Sequence, residues 1–279
     1  VESLLMGSVV SSTDAASVFS ILRSRKLGLK NNSAPMLEIE SGSNDPCSYM
    51  LTIIMLSIMT GGGTSVGKVA WMLFSQLAFG AGFGILIAKA GIWALKRIKF
   101  PTSGFDSLFI LAIALLSYSI PSLVGGNGYL SAYLVGIMLG NANFHGKRNL
   151  VSFFDGVTGL MQVLIFFMLG MLARPAMMHK VILPALGIFL FMLLVARPVA
   201  VSAILAPFRK YGFKQQALIS FVGLRGAASI VFAIFATVDN DVLQNDILNV
   251  VFCIVLLSIS LQGFRWSPRN WASLTMMPM

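Results

Sequence analysis

The residues with the clearest potential for chemistry lie between Glu38 and Pro46, at the start of a long apolar run. This short stretch holds three carboxylates, two hydroxyls and one amide. An ionisable side chain inside a membrane costs at least about 2.5 kcal/mol, so such a cluster calls for a functional explanation. Pro46 has no N–H for the carbonyl of Gly42, and it disfavours helical geometry at Asp45. Carboxylates beside an interrupted backbone predict oxygen ligands for a small cation.

The spacing within this cluster sorts its members into pairs. Ser41 and Asp45 are four residues apart and share one helix face, and Glu40 and Asn44 form a second such pair. Three carboxylates within eight residues repel one another, so some must be neutral or matched by cations. Glu38 can lie at the cytoplasmic boundary of the membrane. A functional interpretation of the cluster is therefore favoured over a purely structural one.

A second polar stretch, from Ser11 to Ala16, lies inside an apolar segment. Short polar side chains compete for backbone hydrogen bonds and weaken a helix locally. A break here would expose carbonyl oxygens and half-helix ends, as in discontinuous transporter helices. The structural alternative is that Thr13 and Asp14 cap a helix that begins here. The apolar sequence on both sides of Asp14 favours the break.

A third constellation, from Gly223 to Ser229, places one arginine among small residues in an apolar segment. Small residues permit close helix approach, and a buried guanidinium needs a carboxylate partner, for which Glu40 is the best candidate. Because arginine does not titrate, we expect Arg225 to be a permanent structural counter-charge. For Arg197, in a neighbouring apolar segment, a similar role and a position near the membrane interface both stay open.

The composition predicts the class of protein that positions these groups. Of the 279 residues, 57% are hydrophobic and 11% are charged, whereas soluble proteins carry about 25% charged residues. The fold class is therefore predicted to be an all-α polytopic membrane protein with about nine transmembrane segments. These apolar segments lie near residues 1–21, 35–60, 69–95, 105–122, 128–142, 157–173, 181–206, 215–237 and 247–263.

The number of lysine and arginine residues alternates between high and low in successive loops that join these segments. One set of alternate loops carries fourteen of them, and the opposite set carries only Lys68, Arg174 and Lys180. The positive-inside rule then places the first residue outside and the last residue in the cytoplasm. Topology and contact with membrane lipids account for the net charge of +10, so no nucleic-acid partner is predicted.

Other chemistry is not indicated by the sequence. Cys47 and Cys253 both lie in apolar runs and are expected to be inert packing thiols. No glycine-rich phosphate loop, metal-ligand spacing or nucleophile–base arrangement is recognisable. An enzyme is therefore not predicted, and neither is a cofactor.

The three constellations together resemble the monovalent cation:proton antiporters. The resemblance rests on Ser12-Thr13-Asp14, on Glu38 to Asp45 and on Gly223-Leu-Arg-Gly-Ala227. The Asn-Asp pair resembles the one found in the branch with electroneutral exchange. The first 60 residues resemble bacterial potassium/proton antiporters linked to cell-volume regulation and pH homeostasis. This resemblance implies an inverted-repeat fold with discontinuous helices, in a bacterial inner membrane with the N-terminus periplasmic.

The resemblance also implies roles for individual residues. Asp45 is expected to bind K⁺ or Na⁺ when deprotonated and to release it when protonated. Further oxygens are expected from Thr13, Asp14 and Ser41. The Thr-Asp break and the Asn-Asp helix are expected to cross near the middle of the core. Structural support of the site is expected from Asn44, and from Glu40 paired with Arg225.

Both ends of the sequence depart from the family pattern. Family members have several helices before the position of Val1, some of them in a homodimer interface, and commonly continue into a cytosolic domain. We therefore expect residues 1–263 to be part of a cation/proton exchanger transmembrane domain. Residues 264–279 do not resemble the family continuation, and we expect a frameshifted or truncated gene product.

The predicted function is exchange of a monovalent cation, K⁺ rather than Na⁺, for H⁺. Two alternatives stay open. The same oxygens could line the continuous pore of a cation channel. The chain could also be an inactive remnant of an antiporter, because a site without its scaffold helices need not assemble.

Overall fold

The computed structural model describes residues 1–14, 16–19, 29, 33–60, 65–98, 104–144, 147–208, 211–238 and 246–262. The regular structure of these residues is helical, with no strand among them. The all-α prediction is confirmed. The predicted tail, residues 264–279, lies outside the described residues.

Helices occupy each of the nine apolar positions predicted from the sequence. In chain order they are α1 (Glu2–Ser11), α2 (Ser33–Met59), α3 (Val66–Arg97), α4 (Phe105–Leu123), α5 (Gly128–Asn141), α6 (Lys147–Leu172), α7 (Pro175–Phe191), α8 (Arg197–Leu205), α9 (Phe213–Val222), α10 (Ala227–Val238) and α11 (Ile247–Leu257). Residues 16–19 form a further short helical piece. A π-helical turn, Met192–Ala196, joins α7 to α8, and another, Ser258–Gln262, extends α11.

Several of these helices are long and apolar enough to cross a membrane unaided. Among the described residues there are four such spans: Val66–Arg97, Phe105–Leu123, Asn149–Leu172 and Pro175–Leu205. The pair α9 and α10, bent by 49°, makes a fifth if it is counted as one span. The other helices are shorter or, in the case of α2, carry acidic residues. The chain is a polytopic α-helical membrane protein.

The predicted interruption at Asp45 and Pro46 is wrong. Helix α2 runs from Ser33 to Met59 with Pro46 inside it. A proline removes only the hydrogen bond of its own nitrogen, and neighbouring groups can satisfy the freed carbonyl in a membrane helix. The interruptions lie elsewhere, at residues 12–14 after α1 and at residues 223–226 between α9 and α10.

The chain divides into two compact units. The first unit comprises residues 1–44 and 167–279, and the second comprises residues 45–166. In the first unit an apolar cluster around α9 includes Leu218, Val222 and Leu37. This cluster packs the residues that flank both helix interruptions, so it holds the interruptions in place.

The second unit is built on close contact between α3, α4 and α5. Glycines on α3 permit this approach: a Cβ added at Gly84 would lie 3.0 Å from the Cα of Ser131. Ala88, Ile113 and Val135 continue the same interface as a buried apolar cluster. Small residues at a helix interface allow the close packing on which membrane helices rely.

Candidate functional site

The first helix interruption is formed by residues 12–14. The backbone N–H of Asp14 donates to the carbonyl of Leu224 at 2.8 Å. The Asp14 carboxylate accepts from the backbone N–H of Ser17 at 3.0 Å and from its hydroxyl at 2.5 Å. The predicted break is therefore present, and Asp14 also caps the helical residues 16–19 that follow it. This stretch is therefore both a helix break and a helix cap.

The second interruption, residues 223–226, lies directly against the first one. Besides the bond from Asp14 to Leu224, the carboxylate of Asp14 packs on Gly226, where any added Cβ would collide with it. Only glycine allows this approach. The chain thus brings the ends of two broken helices together inside the first unit.

Arg225 in the second interruption is buried, with 6% of its surface exposed. Its Nη1 donates to the carbonyl oxygens of Ser11 at 2.6 Å and Ser12 at 2.7 Å. These carbonyls lie at the C-terminal end of α1, where the helix dipole places partial negative charge. The positive charge of the Arg225 guanidinium thus offsets the partial negative charge at the C-terminal end of α1.

The predicted ion pair between Glu40 and Arg225 is wrong. Glu40 pairs with Arg197, whose Nη1 lies 2.6 Å from Oε1 and whose Nη2 lies 3.4 Å from Oε2. The physical reason is that Arg225 donates to the end of α1, while Arg197, which packs on Gly223, reaches Glu40 of α2. Arg197 also donates to the carbonyls of Ile219 and Ser220 in the last turn of α9. The open question about Arg197 is answered: it is a counter-charge.

Thr13 in the first interruption is held by two side chains of α2. Asn44 Nδ2 donates to the Thr13 hydroxyl at 2.5 Å, and Asn44 Oδ1 accepts from the Thr13 backbone N–H at 3.3 Å. The Ser41 hydroxyl donates to the Thr13 carbonyl at 2.6 Å. The structure therefore brings Thr13, Ser41 and Asn44 together, where the Thr-Asp break meets α2. Ion binding by these residues stays a prediction.

Two residues that support the second interruption were missed by the sequence analysis. Ser258 Oγ accepts from the Arg225 backbone N–H at 2.9 Å and donates to Gln262 Oε1 at 2.5 Å. Gln262 Nε2 donates to the carbonyl of Phe221 at 2.7 Å. An interrupted helix leaves such backbone groups without helical partners, and inside a membrane they must be satisfied. Two polar residues four apart in an apolar segment were the available signal.

Asp45 directly follows Asn44 in α2 and is the first residue of the second unit. Its side chain is partly buried. In this unit the carbonyl of Pro46 accepts a hydrogen bond from Asn127 Nδ2 at 2.8 Å. The ring of Tyr129 packs on that of Tyr49, with centroids 4.9 Å apart. Asn127 is a further residue near the predicted site that sequence reasoning missed.

Comparison with known sequences identifies relatives along almost the entire chain. A sequence model of the sodium/hydrogen exchanger transmembrane family matches residues 1–269. The K(+)/H(+) antiporter NhaP2 of Shewanella oneidensis is 36% identical over 265 residues, which cover 94% of this chain and 46% of that protein. The K(+)/H(+) antiporter NhaP of Alkalimonas amylolytica is 36% identical over 98% of this chain and 47% of that protein. The chain spans about half the length of these relatives.

The fold has a close counterpart among solved structures. The structure of the sodium proton antiporter MjNhaP1 from Methanocaldococcus jannaschii matches with a TM-score of 0.78. The match covers 96% of this chain and 68% of that chain at 24% sequence identity. At this level of identity the comparison shows a shared fold. The sequence relatives are antiporters and not enzymes, in agreement with the expectation from the sequence.

Proposed function

This chain belongs to the sodium/hydrogen exchanger family, and we propose that it exchanges a monovalent cation for a proton across a bacterial inner membrane. The observation that carries the proposal is the meeting of two helix interruptions, residues 12–14 and 223–226. Thr13 of the first interruption is tied to Asn44, which directly precedes Asp45. The names of the two relatives at 36% identity support K⁺ as the cargo.

Asp45 is the group for which the cation and the proton compete in this mechanism. The deprotonated carboxylate binds the cation, with oxygens of Thr13, Asp14 and Ser41 as further ligands. Protonation of Asp45 removes the negative charge and releases the cation. Because the carboxylate is neutralised either by one cation or by one proton, each cycle moves no net charge. Rocking of one part of the transporter against another would expose Asp45 to each side in turn.

Two carboxylates beside the helix interruptions, Glu40 and Asp14, have structural roles. Glu40 forms an ion pair with Arg197. If the carboxylate left this pair, the partly buried arginine would lose its counter-charge, which is destabilising. Asp14 accepts two hydrogen bonds from Ser17 at a helix start. Releasing either carboxylate in every cycle would disturb the helix ends around it, so the proposal gives neither of them the exchange.

The test is Asp45→Asn, which keeps the size of the side chain but cannot ionise. We expect cation-driven proton flux in everted membrane vesicles to be lost while the protein still inserts into the membrane. Glu38→Gln is the matched control, because Glu38 is exposed in the first turns of the same helix, and it is expected to exchange like the wild type. Undiminished flux with Asp45→Asn would rule the mechanism out.

The orientation and assembly of the protein belong to the same proposal. The loop charges support an N-terminus of this chain in the periplasm and a C-terminus in the cytoplasm. Membrane lipids and a second copy of the protein are the proposed partners.

A further inference from the structure

Asn127 of the second unit is almost completely buried, with 1% of its surface exposed. Its backbone N–H donates to the Gln76 carbonyl at 3.1 Å, and its Oδ1 accepts from the Leu130 N–H at 3.0 Å. Its Nδ2 donates to the Pro46 carbonyl at 2.8 Å. One buried amide thus links α3, the start of α5 and α2. A polar side chain buried among apolar helices persists only when it is hydrogen-bonded in this way.

The turn that carries Asn127 is closely packed within the second unit. A Cβ added at Gly126 would lie 2.8 Å from the Cβ of Phe79 on α3. A Cβ added at Gly128 would lie 2.5 Å from the Tyr118 carbonyl on α4. Both glycines are thus required by close contacts on either side of Asn127. The turn is therefore a fixed point against which α2 can be held.

The hydrogen bond from Asn127 reaches α2 at the residue next to Asp45. Pro46 supplies no N–H, so this turn of α2 lacks one of the hydrogen bonds that stiffen a regular helix. The bond from Asn127 is a contact from outside the helix at this less regularly bonded turn. One turn further on, Tyr49 packs on Tyr129, with the ring centroids 4.9 Å apart.

We propose that Asn127 is a positioning residue for the Asp45 carboxylate. By holding the Pro46 carbonyl it sets the geometry of the turn from which the carboxylate projects, and so it sets the affinity of the carboxylate for the cation. Asn127 acts through α2 and does not itself bind the cation. This inference rests on the proposed function, because it assumes that Asp45 carries the cation.

The test variant is Asn127→Ser. Serine still caps α5 by accepting from Leu130, but it is too short to reach the Pro46 carbonyl. We expect the cation concentration for half-maximal exchange to rise about tenfold, the effect of losing one buried hydrogen bond, with a shifted pH profile. The matched control is Ser65→Ala. It removes the N-cap of α3, in which the Ser65 hydroxyl accepts from the Lys68 N–H, and it leaves the hydrogen bond to Pro46 intact. It is expected to keep the wild-type half-maximal concentration.

The measurement is proton flux in everted vesicles over a range of cation concentrations and pH values, normalised to the amount of inserted protein. A merely structural role would lower that amount or the maximal rate and leave the half-maximal concentration unchanged. Asn127→Thr, a second cap residue without the reach to Pro46, repeats the test if the serine variant inserts poorly. If both variants keep the wild-type half-maximal concentration while Asp45→Asn is inactive, only this inference fails. If Asp45→Asn still exchanges, the proposed function itself fails.

Discussion

At the scale of single residues, the charges beside the two helix interruptions are matched by helix ends or by each other. Arg225 donates to carbonyls at the negative end of α1, and Asp14 caps the positive end of residues 16–19. Arg197 pairs with Glu40 and also donates to the last carbonyls of α9. Opposite charges at helix ends are each stabilising. These fixed charges therefore preserve the geometry of the interruptions.

The corrected ion pair predicts a specific pattern of coupling between residues. Glu40→Gln and Arg197→Gln should each destabilise the protein, because each leaves the other charge partly buried without its partner. The double variant should recover about 1 kcal/mol or more relative to the sum of the two single changes. Thermal unfolding of the detergent-solubilised protein measures this coupling.

The matched comparison is the same cycle with Arg225→Gln in place of Arg197→Gln. Arg225 donates to carbonyls of α1 and not to Glu40, so we expect a smaller coupling with Glu40→Gln. A larger coupling of Glu40 with Arg225 than with Arg197 would contradict the pairing observed in the structure.

At the scale of elements, the interrupted helices depend on groups supplied from other helices. The backbone N–H of Arg225 and the carbonyl of Phe221 are bonded by Ser258 and Gln262, which lie in the π-helical turn after α11. A second π-helical turn directly precedes Arg197, which pairs with Glu40 of α2. Such turns are rare and are frequently found at functional sites. Here one turn carries Ser258 and Gln262 and the other directly precedes Arg197, and these three side chains bond to residues 219–225.

The contact between the two interruptions leaves no room for a side chain at residue 226. Gly226→Ala is expected to force the Asp14 carboxylate and the backbone apart, at a cost of about 1–3 kcal/mol. Thermal unfolding and proton flux should both decrease. Gly82→Ala is the control, because a Cβ at Gly82 on α3 meets nothing within 4 Å. A loss of stability in the control equal to that in Gly226→Ala would show that the contact with Asp14 is not the cause.

At the scale of the whole molecule, long apolar side chains are exposed along the candidate membrane spans. On α6, Val163 is 67% exposed and Met171 is 72% exposed, and on α7 Leu183 is 75% exposed. In a membrane such surfaces face lipid tails or other apolar helices and carry no hydration penalty. The exposed apolar surface is consistent with a membrane-embedded protein.

One-for-one exchange predicts that transport is electrically silent. We expect no steady current from proteoliposomes under a cation gradient, although the internal pH changes. The reason is that Asp45 is neutralised by one cation or by one proton in each half of the cycle. Electrical recording on supported membranes together with a pH-sensitive dye makes the measurement. A sustained cation current would instead favour the channel interpretation.

The polar constellations and the membrane segments were predictable because their causes are local. Hydropathy, the small residues around Arg225 and the competition of Thr13 and Asp14 for backbone hydrogen bonds all act within a few positions of the chain. Local rules also misled in one place: the proline effect predicted a break at Pro46, where α2 is continuous. A single missing hydrogen bond was outweighed by packing along the helix.

By itself, the sequence determined the class of protein and the places of its helices, since both follow from neighbours along the chain. Only the tertiary structure decided which groups meet in space. Glu40 has two arginines that could satisfy it equally well in chemical terms, and in the fold it pairs with Arg197 while Arg225 donates to the end of α1. Asn127 acquires its importance in the same way, because its contact with Pro46 joins residues 81 positions apart.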